Sequence, residues 1–289
     1  MRRLPPVWLM GLSNATLGFC TGITLFVVPQ LMAAVHVPES KIASITAIAT
    51  SPNFWFVLFS PILDVRFSRR WYATLLAGLS GCAAATAVLT LHHLLILQVA
   101  VVICNAAAVL SASALGGWLS NITPNQYKNS LSKWMNIALI SGTGFIVAVG
   151  GELVRRLPAI VAAVLLGATV FLPSVIFLFM PAPGPDRRLA SESFLQFNRD
   201  LLSLVRRREI VIVLLLFLSP CSTFTLTNLL GGLGADFHAS ARAVSLTGGV
   251  GAFIPGLLGC FLFPVIARRV RLRWFYFANG ILEPVINFG

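Results

Sequence analysis

Eight stretches of about twenty apolar residues, separated by short polar turns, constrain this chain more than any other feature. They run over roughly 7–34, 42–63, 71–90, 94–118, 134–154, 158–180, 210–234 and 243–266, and each can cross the ~30 Å hydrocarbon core of a bilayer as a helix. A ninth begins near Trp274, and the sequence stops at Gly289. About 24 Å of helical rise is too little to span the core, so this last span is expected to be incomplete. Lipid offers backbone N–H and C=O groups no partner, so such spans must be helices that close their own hydrogen bonds. Composition agrees: 57% of the 289 residues are hydrophobic and only 10% are charged. So few charges cannot cover a water-soluble protein of this size, which excludes a soluble enzyme, a disulfide-stapled secreted domain and a disordered chain. The five cysteines, at 20, 82, 104, 221 and 260, all lie in apolar stretches without a Cys-x-x-Cys pair. They read as small packing residues, with no metal or cofactor implied.

The net charge of +12 would suggest nucleic acid in a soluble protein. Here the basic residues fall in turns, and they fall unevenly. Seventeen of the 21 lysines and arginines lie on one side: Arg2 and Arg3; Arg66, Arg69 and Arg70; Lys128 and Lys133; the six arginines of 187–208; and the four of 268–273. The other side holds Lys41, Arg155, Arg156 and Arg242. Lysine and arginine accumulate on the cytoplasmic side. The expectation is therefore a multi-pass protein of the cell (inner) membrane with a cytoplasmic N-terminus, a lipid bilayer as its partner and no nucleic acid. The one long inner loop opens Pro181-Ala-Pro-Gly-Pro185 and carries six arginines. It divides the chain into a six-helix transmembrane bundle (1–180), a basic cytoplasmic linker (181–209) and a partial second bundle (210–289).

The sequence also repeats itself at an offset of 203. Pro52 matches Pro255, Pro61 matches Pro264, Arg66 matches Arg269, Arg70 matches Arg273 and Trp71 matches Trp274. Both copies join a proline-bearing span to the next through a basic inner turn, which indicates a duplicated unit of six spans.

A parallel duplication of six-span halves with a basic turn after the second span resembles the major facilitator superfamily. That family's signature in the turn is Gly-x-x-x-Asp-Arg-x-Gly-Arg-Arg. Asp64 fits the acidic position, and Arg69 and Arg70 fit the basic pair with one extra residue of spacing. Ser60 replaces the first glycine, Val65 replaces the arginine, and the second copy has Ala267 in place of the acid. The resemblance implies that Asp64, Arg66, Arg69 and Arg70 form a gating charge cluster; the plainer alternative is a helix cap or interfacial ion pair. A narrower stretch is similar to the branch of muropeptide permeases and acetyl-CoA transporters: Pro124-Asn-Gln-Tyr-Lys128, then Lys133-Trp-Met-Asn136, then Gly142, Gly144 and Gly150-Gly151. The fold implied is all-α, a polytopic major-facilitator-like bundle with a six-span N-terminal half and an incomplete C-terminal half. A family member has twelve spans, so the chain is expected to be a C-terminally truncated form.

Polar side chains inside lipid must face a bundle interior or a water-filled path. Asn14, Gly18, Thr21 and Leu25 share one face of the first span by their spacing. Thr223 and Thr227, with Asn228 beside them, do the same in the seventh. Trp55, Asn105, Trp118 and Asn136 add candidates from the second, fourth and fifth spans. Together these could line a substrate path at the interface of the halves; the alternative for each is interhelical hydrogen bonding. Glu283, about 14 Å into the ninth span, is the one acid deep enough to suggest a proton carrier. Enzyme motifs fail: there is no His-Glu-x-x-His or Gly-x-Ser-x-Gly, and Gly231-Gly-Leu-Gly234 lacks a phosphate-binding lysine. The expectation is a secondary active permease for a small organic solute working by alternating access, with proton coupling resting on Glu283. The rival reading is a truncated, inactive or regulatory paralogue that does not transport.

Overall fold

The computed structural model describes residues 4–56, 68–181 and 251–267, with isolated positions at 59, 63, 199, 202, 203, 206, 240, 243 and 269. The described residues form helices and turns only, as the apolar spans require. The first span, α1 (Val7–Ala34), is followed by α2 (Glu39–Thr50) with a short continuation at Pro52–Trp55. Then come α3 (Arg69–Leu89), α4 (Leu94–Ile122), α5 (Lys128–Arg156) and α6 (Ala159–Phe171), which tightens into a 3₁₀ turn over Leu172–Phe179. The eighth span of the sequence supplies α7 (Ala252–Ala267). Helix α5 starts six residues earlier than hydropathy indicates, because its first turns, Lys128-Asn-Ser-Leu-Ser-Lys133, are polar yet helical.

Each irregularity has a local cause. α1 contains a π-helical stretch at Ile23–Val27, every residue of it buried. It ends in a Schellman motif: Val37 N donates to the Met32 carbonyl and His36 N to the Ala33 carbonyl, both at 3.0 Å, with His36 left-handed at φ 60°. α2 breaks at Ser51 because Pro52 has no N–H to continue the ladder. The hydroxyls of Thr46 and Thr50 donate to carbonyls one turn back, at 2.8 and 3.1 Å. α6 loosens at Pro173 for the same reason.

Glycine contacts give the helix directions. On α1, Gly11, Gly18 and Gly22 press against Trp134, the Leu139 carbonyl and Ile146 of α5, so numbers rise together and the two helices are parallel. At Gly18 a Cβ would overlap the backbone of α5, which is why this position admits no side chain. α3 and α6 are antiparallel and meet backbone to backbone: a Cβ on Gly81 would lie 2.6 Å from the Gly167 carbonyl, and one on Gly167 2.7 Å from that of Gly81. α3 and α4 are antiparallel through Ser80 to the Cys104 carbonyl at 2.9 Å and Ser111 to the Ala73 carbonyl at 2.8 Å.

Two buried clusters fill the bundle. One surrounds Cys20, Met32, Ala84, Leu97, Cys104 and Leu166; the other surrounds Met10, Leu115, Trp118, Leu131 and Phe177. In the first, Cys20 Sγ lies 2.7 Å from Ser80 Oγ and 3.5 Å from Cys104 Sγ, tying α1, α3 and α4 at one level.

Candidate functional site

Helix α7, from the eighth apolar span, packs against α5. Phe253 fills the space over Gly144, and Ile140 fills the space over Gly256, each 2.8 Å from where a Cβ would stand. Nearer one end, the Lys133 ammonium lies 4.1 Å from the Phe261 ring centroid. Numbers rise on α5 as they fall on α7, so the helices run antiparallel. Among the described residues the seam shows two glycine-on-apolar contacts about one turn apart and, nearer its end, a cation–π contact.

That end carries five basic residues and no acid among the described residues placed on it. Arg69 and Arg70 start α3, Lys128 and Lys133 start α5, and Arg269 lies just past α7. Lys41, Arg155 and Arg156 lie at the opposite end. There Glu152 bridges both arginines at 2.6 Å, half-exposed, in the last turn of α5, where cations also suit the helix dipole. Those neighbours make Glu152 a structural ion pair.

The sequence-derived candidates fall into two groups. Asn14, Asn105 and Trp118 are buried in helix contacts. Asn14 Nδ2 donates to the Met135 carbonyl of α5 at 3.2 Å, while its Oδ1 is buried without a hydrogen bond. Asn105 Nδ2 donates to the Ala49 carbonyl of α2 at 2.8 Å. Trp118 is 0% exposed; its Nε1 donates to the Pro181 carbonyl at 3.0 Å and its ring packs edge-on against Phe177. Thr21, Trp55 and Asn136 keep accessible surface. Thr21 bonds back to the Leu17 carbonyl at 2.8 Å, Asn136 to the Ser132 carbonyl at 3.0 Å, and Trp55 Nε1 to Ser51 Oγ at 3.2 Å. Of the four turn residues, Arg69 and Arg70 are placed, half-buried, in the first turn of α3. Asp64, Arg66, Thr223, Thr227, Asn228 and Glu283 lie outside the described residues.

The stretch Lys133-Trp-Met-Asn136 is a junction. Lys133 faces α7, Trp134 packs on Gly11, the Met135 carbonyl accepts from Asn14, and Asn136 is exposed. The sequence reading missed Lys133 as an inter-helix contact. Hydropathy starts that span at 134, so Lys133 stood just outside it and read as a turn residue, whereas the helix starts at Lys128 and carries it.

The sequence profile described as Major Facilitator Superfamily matches residues 10–282. The chain belongs to the major facilitator superfamily. Solved structures agree on the fold of this superfamily member. A D-xylose-proton symporter superposes with a TM-score of 0.59 at 16% identity, covering 90% of this chain and 67% of the symporter. The xylose transporter XylE from E. coli, inward open, gives 0.57 at 15% identity over 91% and 68% of the two chains. Its partially occluded inward-open form gives 0.60 at 14%, over 90% and 72%. No curated protein matches in sequence. The protein is therefore a multi-pass membrane protein of a transporter superfamily, and its all-helical fold is that of the family.

Proposed function

We propose that this superfamily member is a secondary active permease that moves a small organic solute by alternating access between two halves. The observation that carries the reading is the α5–α7 seam. Among the described residues this contact is glycine against apolar side chain with a cation–π pair, the kind of packing that rocking can remake without breaking buried hydrogen bonds. Thr21, Trp55 and Asn136 offer side chains to the path, completed by Thr223, Thr227 and Asn228 of the seventh span. Asn14, Asn105 and Trp118 hold the helices that carry them. Asp64, Arg66, Arg69 and Arg70 act as the gate at the basic end, which the skew of lysine and arginine assigns to the cytoplasm. Proton coupling rests on Glu283. The Lys133-Trp-Met-Asn136 stretch favours the muropeptide permease and acetyl-CoA transporter branch.

Uptake into proteoliposomes tests this reading. The probes are radiolabelled N-acetylmuramyl peptide, acetyl-CoA and D-xylose, the sugar for which the structural neighbours are named. The expected result is saturable uptake of one probe, raised by an inward proton gradient. It should be lost in Thr21→Leu and Asn136→Leu, and uncoupled from the gradient in Glu283→Gln. Folded protein that moves none of the probes in either direction counts against the permease; unchanged flux in Thr21→Leu and Asn136→Leu counts against the path.

A further inference from the structure

Arg69 stands in the first turn of α3, the wrong end of a helix for a cation, since the unpaired N–H groups there are electropositive. Its guanidinium crosses to α4 and enters, Nη1 first, the place a side chain at Gly117 would fill. A Cβ built on Gly117 would fall onto Arg69 Nη1 and come within 2.6 Å of Cζ and 3.4 Å of Nε. Among the described residues, nothing lies within 4 Å of the Cβ position at the neighbouring Gly116. Two adjacent glycines thus have different reasons to exist, and one of them is Arg69. From Gly117 the guanidinium lies close to the C-terminal turns of α4, which end at Ile122 and whose unpaired carbonyls favour a cation. The next residue, Trp118, holds the carbonyl of Pro181, just past the 3₁₀ turn that follows α6.

We infer that Gly117 is a positioning residue: it seats the Arg69 guanidinium on α4, and with Trp118 it makes the end of α4 the common anchor of the start of α3 and of Pro181. The inference deepens the proposed function and rests on Arg69 being a gate residue. The atoms displaced by a methyl at 117 belong to the far end of a long, flexible side chain and not to backbone, so Gly117→Ala shifts the guanidinium and leaves the backbone packing of α3 and α4 in place. Fold and gate are therefore separable.

The test is a double-mutant cycle with Gly117→Ala, Arg69→Ala and the pair, and Gly116→Ala as the matched control. Two readouts are taken on full-length protein in nanodiscs. One is the unfolding temperature. The other is the rate at which a membrane-impermeant maleimide alkylates Cys260, resolved by mass spectrometry; Cys260 is half-buried and adjoins Phe261 at the same end of the α5–α7 seam. Gly117→Ala should change the Cys260 rate by about threefold to fivefold, the scale of one partly exposed charge contact, and Gly116→Ala should not. In the Arg69→Ala background Gly117→Ala should add nothing. If Gly117→Ala matches Gly116→Ala, or acts undiminished without Arg69, the seat is wrong. If the two positions couple in unfolding temperature while Cys260 labelling never moves, the seat stands and the gate reading of Arg69 falls.

Discussion

The hydroxyl of Thr16 on α1 donates to the carbonyl of Val170 on α6 at 3.0 Å. That carbonyl needs it. In the 3₁₀ geometry at this end of α6, its donor would be the residue three positions on, and that residue is Pro173. A proline in one helix is thus answered by a threonine 154 positions away from the carbonyl it serves, inside a bundle where water cannot substitute. Thr16→Val should lower unfolding stability by about 1–2 kcal/mol, and Thr16→Ser should restore most of it. Reversible unfolding in mixed micelles checks this; a neutral Thr16→Val would mean that the Val170 carbonyl is otherwise satisfied.

His36 is exposed and left-handed at the end of α1. A side chain there costs about 1–2 kcal/mol that glycine avoids, offset in part by glycine's extra freedom when unfolded. His36→Gly should stabilise the protein by about 1 kcal/mol. The same unfolding assay measures it, and destabilisation would assign the imidazole a contact of its own.

Gly18 and Gly259 should respond oppositely. A side chain at Gly18 meets the Leu139 carbonyl of α5, whereas among the described residues nothing lies within 4 Å of the Cβ position at Gly259. Gly18→Val should cost about 1–3 kcal/mol or prevent folding, and Gly259→Ala should stay within about 0.5 kcal/mol of neutral. Yield of monodisperse protein and its unfolding temperature rank the two.

Asn105 and Asn136 should separate stability from transport. Asn105, 3% exposed, ties α4 to the Ala49 carbonyl, and Asn105→Ala should lower stability by roughly 1 kcal/mol with KM unchanged. Asn136 is exposed and, among the described residues, bonds within its own helix, so Asn136→Ala should leave stability within about 0.5 kcal/mol of the parent and shift transport kinetics. Finding both effects at both residues would contradict this division.

Lys133 and Phe261 should couple by about 0.5–1 kcal/mol in a cycle built from Lys133→Met and Phe261→Leu. Additive effects would show that the ammonium is held by something other than the ring.

The bundle was readable in the sequence because lipid forces a simple rule, that apolar runs become helices. Val7–Ala34 and the starts of α3, α4 and α6 lie within two residues of the hydropathy bounds. The polar extension of α5 and the break in α2 were less legible: a helix that leaves the hydrocarbon loses its apolar signal, and a proline marks a break without giving its shape. Site residues were harder still. The face formed by Asn14, Gly18, Thr21 and Leu25 comes from a period of 3.6, yet Asn14 and Gly18 turn out to face α5. Past Gly22 the π-helical stretch inserts an extra residue and swings the face by roughly 100°, so spacing alone misplaces Leu25 and the residues beyond it. A threonine that answers a distant proline, or a glycine emptied for an arginine on another helix, leaves no periodic trace at all.

The meeting of Gly81 with Gly167 has one more consequence. With main chain laid against main chain and no side chain between as a cushion, the third and sixth spans cannot slide past each other without colliding. They are best regarded as a single chassis, and whatever flexing the protein performs within this half belongs to the helices mounted on it.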